Sequence, residues 1–227
     1  CVGGSAFGGV GLVALLAATA ATPALAKSDT QYWQTVLVNA KLTDDVVLSN
    51  ETVFRSGDAK GFYEIENNLM VGYKLDKHVT AYVGYTADPL YLKGSYTTME
   101  NRFRQQVSFD NFVILGKVKL SGRLRLEERW RNGFTGTAWR LRPQAKISVP
   151  VHGKTALNVA HESFIDLNTN GFQKVSGLER MRNSISVSTP IAKHFSLELG
   201  YLEQHGFVPG AEDTDDHVAT IQLSASF

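Results

Sequence analysis

The sequence predicts an all-β protein: an antiparallel up-and-down transmembrane β-barrel of 10–12 strands, preceded by a cleaved signal peptide. Three observations predict it. Apolar and polar residues alternate with period two along most of the chain after residue 26, as in strands whose two faces meet different surroundings. The 227 residues carry 23 Lys+Arg against 22 Asp+Glu and are 43% hydrophobic, which is typical of one folded domain. A single Cys excludes a disulfide scaffold and a Cys-based zinc site.

Residues 1–26 are predicted to be a secretory signal peptide, truncated at its start. They contain no Asp, Glu, Lys or Arg. Val10 to Ala21 form an apolar run, and Ala24-Leu25-Ala26 supplies a small-x-small cleavage site. An anchoring helix is the alternative, which the short, Gly/Ala-rich run disfavours. Residues 27–227 would then form a single barrel domain of the outer membrane of a Gram-negative bacterium.

Eleven segments of the mature chain are predicted strands. Most are about as long as the roughly 9–11 residues that a tilted membrane-spanning strand needs. In order they are 31–39, 46–55, 62–74, 79–86, 98–109, 117–131, 137–149, 155–165, 178–189, 195–204 and 216–227.

The seventh segment shows the alternation most clearly. Trp139, Leu141, Pro143, Ala145, Ile147 and Val149 share one face, and Arg140, Arg142, Gln144, Lys146 and Ser148 share the other. The connections between segments alternate between short turns and longer loops, among the longer ones 87–97, 166–177 and 205–215. That arrangement is typical of outer-membrane barrels, which have an even number of strands in bacterial single chains. We therefore expect ten or twelve strands rather than the eleven counted.

The apolar parity is predicted to face lipid. Charges on it are few and lie near strand ends, at Glu128, Glu179 and Glu203, where they cost less than at the bilayer midplane. Aromatic residues toward strand ends would form an interfacial girdle: Tyr63, Tyr73, Phe109, Trp130, Trp139 and Tyr201. The final residue, Phe227, ends an alternating strand and is similar to the signal that the bacterial barrel-insertion machinery recognises. Outer-membrane lipid and that machinery are thus the expected partners.

Two charged segments resemble one known family. Glu100-Asn101-Arg102-Phe103-Arg104-Gln105-Gln106 and Arg123-Leu124-Arg125-Leu126-Glu127-Glu128-Arg129 look like paired central strands of the domain-of-unknown-function family 2490 (DUF2490). Gln31-Tyr32-Trp33-Gln34 and Trp139-Arg140-Leu141-Arg142-Pro143 are also similar to it. The resemblance covers residues 29–227. It implies a bacterial outer-membrane barrel without an assigned activity, and it supplies no catalytic residues.

The polar parity places eleven cationic and seven acidic side chains toward the lumen. One hypothesis is a structural barrel filled by ion pairs, since Arg pairs bidentately with carboxylates and an unpaired buried charge is costly. The other is a narrow passive channel or binding barrel for small anionic solutes. The cationic residues are Arg102, Arg104, Lys119, Arg123, Arg125, Arg129, Arg140, Arg142, Lys146, Arg180 and Arg182. The acidic residues are Glu51, Glu64, Glu66, Glu100, Glu127, Glu162 and Glu198.

Enzymatic activity is not expected, because no G-x-S-x-G or H-E-x-x-H motif occurs. An outer-membrane lipid-modifying enzyme is the first alternative. His161 and Ser163 share the lipid-facing parity, with Glu162 on the opposite face, and are its candidate pair. A soluble periplasmic lipid-carrying barrel is the second alternative. No cofactor, metal or nucleic-acid partner is expected, and the last loop's carboxylates match no calcium-loop motif: Glu212, Asp213, Asp215 and Asp216.

Overall fold

The protein is a closed barrel of eleven β-strands in a computed structural model that describes residues 27–227. The predicted export segment, residues 1–26, lies outside the described residues. No helix able to cross a membrane is present in residues 27–227. The strands are β1 Lys27–Lys41, β2 Val46–Gly57, β3 Gly61–Lys74, β4 Val79–Leu92, β5 Ser95–Leu115, β6 Val118–Arg131, β7 Ala138–His152, β8 Thr155–Asp166, β9 Gly177–Pro190, β10 Phe195–Gly206 and β11 Thr214–Ser226.

The barrel closes between its first and last strands, and that pair is parallel. The ladder runs from Lys27 opposite Thr214 to Asn39 opposite Ser226, while every other neighbouring pair is antiparallel. The expectation of ten or twelve strands was therefore wrong. A purely antiparallel ring needs an even number of strands, and one parallel pair lets eleven close without leaving an unpaired edge.

The two ends of the barrel differ in their connections. The turn rim comprises the short links 42–45, 75–78, 116–117, 153–154 and 191–194, and the chain end Phe227 lies beside it, bonded to Asn39 and Lys41. The loop rim comprises residues 58–60, 93–94, 132–137, 167–176 and 207–213. Lys27 lies at the loop rim, where its backbone N–H donates to Asp213.

One predicted long loop is instead a tight hairpin. The segment 87–97 continues β4 and β5, with Leu92 opposite Ser95. Lys93 and Gly94 make the turn with φ of 50° and 81°, and positive φ at both central residues characterises the type I′ hairpin turn. Sequence reasoning missed it because Lys rarely adopts positive φ.

The inside of the barrel is mostly polar and its outside mostly apolar. Leu69, Val83, Ile185 and Leu199 are 49–54% exposed on the outer face. Gln31, Asn68, Glu100 and other polar side chains are buried within the lumen. A small apolar cluster of Trp33, Val53 and Val218, with Leu202 against it, occupies the lumen beside β1, β2, β10 and β11. The core of this protein is therefore an ion-pair network beside a small apolar plug.

Candidate functional site

A continuous chain of ion pairs crosses the middle of the lumen. Arg104 on β5 lies between Glu66 on β3 and Glu127 on β6, with N–O distances of 2.5 and 3.0 Å. Its side chain is fully buried. Glu66 also accepts from Arg55 at 2.9 Å. Strand register brings these residues inward together, because each lies at an alternate position of its strand.

Glu127 is the centre of this chain. It accepts from Arg140 at 2.6 Å and from Arg142 at 2.8 Å, and it forms the ion pair with Arg104. Arg142 continues the chain to Glu162 on β8 at 3.0 Å, and Glu162 also pairs with Arg123. Since each carboxylate contacts at least two guanidinium groups, the network holds the lumen faces of β2 to β8 together.

A second group lies nearer the loop rim around Glu100. Its carboxylate accepts from Arg102 at 2.7 Å, Arg129 at 2.9 Å and Arg131 at 2.5 Å. Arg102 joins this group to Asp88 and, at 3.4 Å, to Glu66. The two groups are thus one connected network on the β2–β8 side of the lumen.

Two buried aromatic rings, Phe164 and Trp33, face guanidinium groups of the lumen. The Phe164 ring is buried and has four guanidinium carbons within 4.3–5.8 Å of its centroid. Trp33 lies between Arg55 at 4.3 Å and Arg182 at 4.6 Å. The four arginines around Phe164 are Arg140, Arg142, Arg180 and Arg182.

Arg182 differs from the arginines of the network. It is stacked between Trp33 and Phe164, and its Nε donates to the amide oxygen of Gln204 at 2.8 Å. Within residues 27–227 no carboxylate lies within 4.0 Å of its guanidinium nitrogens. Its positive charge is therefore held by aromatic faces and one neutral acceptor.

A cavity of about 1220 Å³ lies above the network on the loop-rim side. Its wall runs from Arg142 and Arg182 in mid-lumen to Lys60, Tyr91 and Pro209 at the loop rim. Eleven cationic and seven acidic side chains line it, so the cavity has a positive excess. Larger β-barrels enclose ligand-binding cavities of this kind.

Most of the lumen residues predicted from sequence are buried or half-buried, whereas Lys119 is exposed near the turn rim, so its predicted lumen position was wrong. Arg123, Arg180, Arg182 and Glu198 are half-buried. Glu198 lies nearer the turn rim, 3.9 Å from Lys146. Those buried at the network are Arg102, Arg104, Arg125, Glu127, Arg129, Arg140, Arg142, Glu64, Glu66 and Glu162.

Sequence reasoning missed several lumen residues. Arg55, Asp88, Asp166 and Asp216 are buried there, although no sequence argument placed them. Arg55 lies on the same strand face as the apolar Val53, so the alternation pattern did not mark that face as polar. Asp215 and Asp216 were assigned to the last loop, but β11 begins at Thr214 and includes both.

Tyr63 was predicted for an outer aromatic girdle, and that prediction was wrong. A register shift between Arg55 and Ser56 turns the Tyr63 side chain inward. Its hydroxyl donates to Gln31 at 2.6 Å and accepts from the Trp33 indole at 2.9 Å. The other girdle candidates stay on the outer parity, with Tyr73 and Tyr201 55% and 44% exposed.

The outer face carries a second polar group on β8 and β9. His161 Nε2 lies 3.0 Å from Ser163 Oγ, and His161 Nδ1 lies 2.7 Å from Asn183 Oδ1. His161 and Asn183 are paired residues of the β8–β9 ladder and are both exposed. Beside them an outer groove of about 410 Å³ is lined mainly by Leu120, Ala145, Ile147, Val159, Ile185 and Tyr201. In residues 27–227 no cluster of His, Cys, Asp and Glu suits a metal ion.

Comparisons with known proteins find a family model and a curated relative. The model of a family described as a protein of unknown function (DUF2490) matches residues 30–215. A curated relative, an uncharacterized protein of Methylorubrum extorquens, is 26% identical over 193 residues, which cover 77% of this chain and 84% of that protein. No solved structure matches.

Proposed function

The chain belongs to the DUF2490 family, and we propose that it is an outer-membrane barrel whose lumen is closed by ion pairs and binds a small anionic solute above them. The apolar outer face supports the membrane location. Side chains such as Val83, Leu124, Ile185 and Ile221 are 44–54% exposed on strands distributed around the ring. Soluble monomers rarely expose apolar area on that scale.

Paired Arg substitutions test the membrane location. Ile185→Arg puts a charge in the apolar belt, and Val208→Arg puts the same charge in the β10–β11 loop; the two sites are 49% and 38% exposed. In a bilayer a mid-membrane Arg costs about 2–4 kcal/mol, so Ile185→Arg should lower the yield of folded, heat-modifiable protein in the outer-membrane fraction, and Val208→Arg should not. Equal yields, or a periplasmic wild type, would support the soluble lipid carrier instead.

The burial of the network supports a closed lumen. Arg104 and Glu127 are fully inaccessible and Glu66 is 4% exposed, and the apolar cluster around Trp33 fills the opposite side. We therefore expect the full chain in a planar bilayer to show no steady conductance steps under a salt gradient. Discrete anion-selective conductance steps would support the narrow channel instead of the closed binding barrel.

Arg182 carries the anion-binding proposal. It is a lumen cation without a carboxylate in ion-pair contact in residues 27–227, and it lines the cavity that reaches the loop rim. An anion placed there would gain charge-assisted hydrogen bonds from the guanidinium. Trp33, stacked on Arg182, supplies a fluorescent probe at the site.

Quenching measures anion access directly. In a background of Trp130→Phe and Trp139→Phe, the remaining indole is Trp33. Iodide should quench it more strongly than caesium, and Arg182→Gln should reduce the iodide effect severalfold. Arg123→Gln is the matched control, because Arg123 is paired with Glu162 and does not line the cavity. Equal quenching by both ions would refute the anion site.

Phe227 supports assembly by the barrel-insertion machinery. It is 61% exposed at the turn rim, where its ring stacks on His194. Phe227→Ala should lower the amount of assembled barrel, whereas Phe112→Ala, which removes another exposed aromatic from β5 near that rim, should not. An equal yield of the two variants would show that Phe227 has no special role in assembly of the barrel.

A further inference from the structure

We propose that His161, Ser163 and Asn183 form an ester-hydrolysing site on the outer face of the barrel, acting on the acyl esters of membrane lipids. The inference rests on the proposed membrane location, because that face would contact lipid. It does not depend on the lumen, and it assigns this chain an activity that the closed barrel alone does not supply.

The hydrogen bonds give each group a definite role. Asn183 Oδ1 accepts from Nδ1–H of His161 at 2.7 Å, so in the neutral imidazole the lone pair lies on Nε2. Nε2 then accepts the hydroxyl proton of Ser163 at 3.0 Å. A nucleophile within hydrogen-bond reach of a base that a third group orients is the arrangement of acyl-transfer enzymes. An amide can take the third position, as in the Cys-His-Asn proteases.

The strand geometry explains why these groups meet. His161 and Ser163 are two residues apart on β8, so their side chains leave the same face of the sheet. Asn183 is directly opposite His161 on β9. Glu162, between the two, points into the lumen and pairs with Arg142 and Arg123. The lumen network thus anchors the strand segment that carries the outer site.

The surroundings indicate the substrate class. The apolar groove begins at His161 and Asn183 and extends over Ala145, Ile147 and Ile185. An alkyl chain in this groove would bring its ester carbonyl to the polar group. On the loop-rim side the outer face becomes polar, with Glu203 opposite Asn183 and His217 opposite Glu203. A molecule with an apolar tail and a polar head fits this change from apolar to polar.

The chemical step is an ordinary acyl transfer. Ser163 Oγ attacks the ester carbonyl carbon while its proton passes to His161 Nε2. The carbon–oxygen bond of the ester breaks, and the alcohol leaves with that proton. Water, deprotonated by the same nitrogen, attacks the acyl-serine carbonyl; the bond to Ser163 Oγ breaks, that oxygen takes the proton from His161 Nε2, and the fatty acid is released. Ser163 and His161 are catalytic residues in this scheme, and Asn183 is a positioning residue.

The test uses the full chain purified in detergent, with mixed micelles of phosphatidylcholine as the probe. Mass spectrometry should detect equal amounts of fatty acid and lysophospholipid, and a fluorophosphonate probe should label Ser163. Assays are run both in EDTA and with added calcium, so that the result does not depend on the cation content of the buffer. Activity or labelling at Ser163 in either condition supports the site. The proposal is overturned if a folded, heat-modifiable barrel shows no activity and no labelling of Ser163 in either condition.

Matched variants separate catalysis from folding. Ser163→Ala and His161→Ala should each reduce turnover at least 100-fold. Ser56→Ala and His152→Ala are controls, because neither residue lines the outer groove: Ser56 contacts the Tyr32 carbonyl at 3.5 Å, and His152 is exposed at the turn-rim end of β7. Equal losses in the controls would overturn the assignment.

Asn183 has its own readout. Asn183→Asp keeps an acceptor for Nδ1–H and should retain turnover, whereas Asn183→Leu removes the acceptor and should lose it without loss of fold. If both variants behave alike, Asn183 does not position His161. Failure of the Ile185→Arg test would remove the membrane location, but fluorophosphonate labelling of Ser163 would still be measurable in detergent, so the two proposals fail separately.

Discussion

The two faces of β8 carry polar residues under opposite conditions. On the lumen face, Glu162 is buried and shared between Arg142 and Arg123. On the outer face, His161 is exposed, and its ring has two partners, Ser163 and Asn183. A buried carboxylate needs its cations because an uncompensated charge in the interior is expensive. An exposed imidazole has no such requirement, so its partners are better explained by chemistry than by stability.

The largest effect is expected from the centre of the lumen network. Glu127→Ala leaves Arg104, Arg140 and Arg142 without their shared carboxylate. Removing one partner of a buried ion pair costs about 3–5 kcal/mol, so the urea midpoint of the detergent-solubilised barrel should fall steeply. Intrinsic fluorescence and the heat-modifiable gel shift would both report it.

Glu198→Ala is the control for that prediction. Its carboxylate lies 3.9 Å from Lys146, and its side chain is 26% exposed. Partly exposed pairs contribute about 0–1 kcal/mol. A comparable loss in Glu127→Ala and Glu198→Ala would mean that the network does not stabilise the barrel through burial.

A smaller loss is expected where two strands approach closely. A Cβ on Gly84 would lie 2.4 Å from the Leu69 carbonyl oxygen and 2.9 Å from Met70 Cα. Gly84→Ala should therefore separate β3 from β4 and cost about 1–3 kcal/mol, the usual range for overpacking. Gly122→Ala is the control, since its nearest atom would be 3.5 Å away. Equal urea midpoints for the two variants would show that β4 shifts freely.

Much of this fold could be predicted from the sequence, because residues that alternate between polar and apolar point to alternate faces of a strand. All eleven predicted segments coincide with strands, and parity placed Glu127 and Arg142 inside. Closure could not be predicted, since the parallel ladder of β1 and β11 depends on contacts across the whole chain. The inward turn of Tyr63 depends on a register shift that no local pattern records.

The outer site was only half visible in the sequence. The spacing of His161 and Ser163 put both on one face, but Asn183 is 20 residues beyond Ser163, and only the β8–β9 register brings it to His161. The aromatic stacking of Arg182 was hidden for the same reason, because Trp33 and Phe164 come from distant strands. Local sequence patterns show which face of a strand a residue occupies, but the pairing register between strands decides which residues of different strands meet.

Removing the outer polar group should barely change stability. His161→Ala and Ser163→Ala should alter the free energy of unfolding by no more than about 0.5 kcal/mol, as for surface substitutions that leave no buried charge. The same urea titration used for Glu127→Ala measures this. A loss of unfolding free energy near that of Glu127→Ala would mean that the outer polar group stabilises the barrel as the lumen network does, and that its role is structural.

The smallest effect is expected in the β3–β4 turn and depends on pH. Asp76 accepts the backbone N–H groups of His78 at 2.5 Å and Val79 at 2.8 Å, and these bonds hold the pKa of its exposed carboxyl below the ordinary value. Its stabilising contribution is thus present above the unfolded pKa of about 3.9 and disappears as pH falls through the lower folded value. Asp76→Ala should melt slightly below wild type at pH 7, and the gap should close in strong acid. A gap that widens in acid would contradict the assigned role of the Asp76 carboxylate.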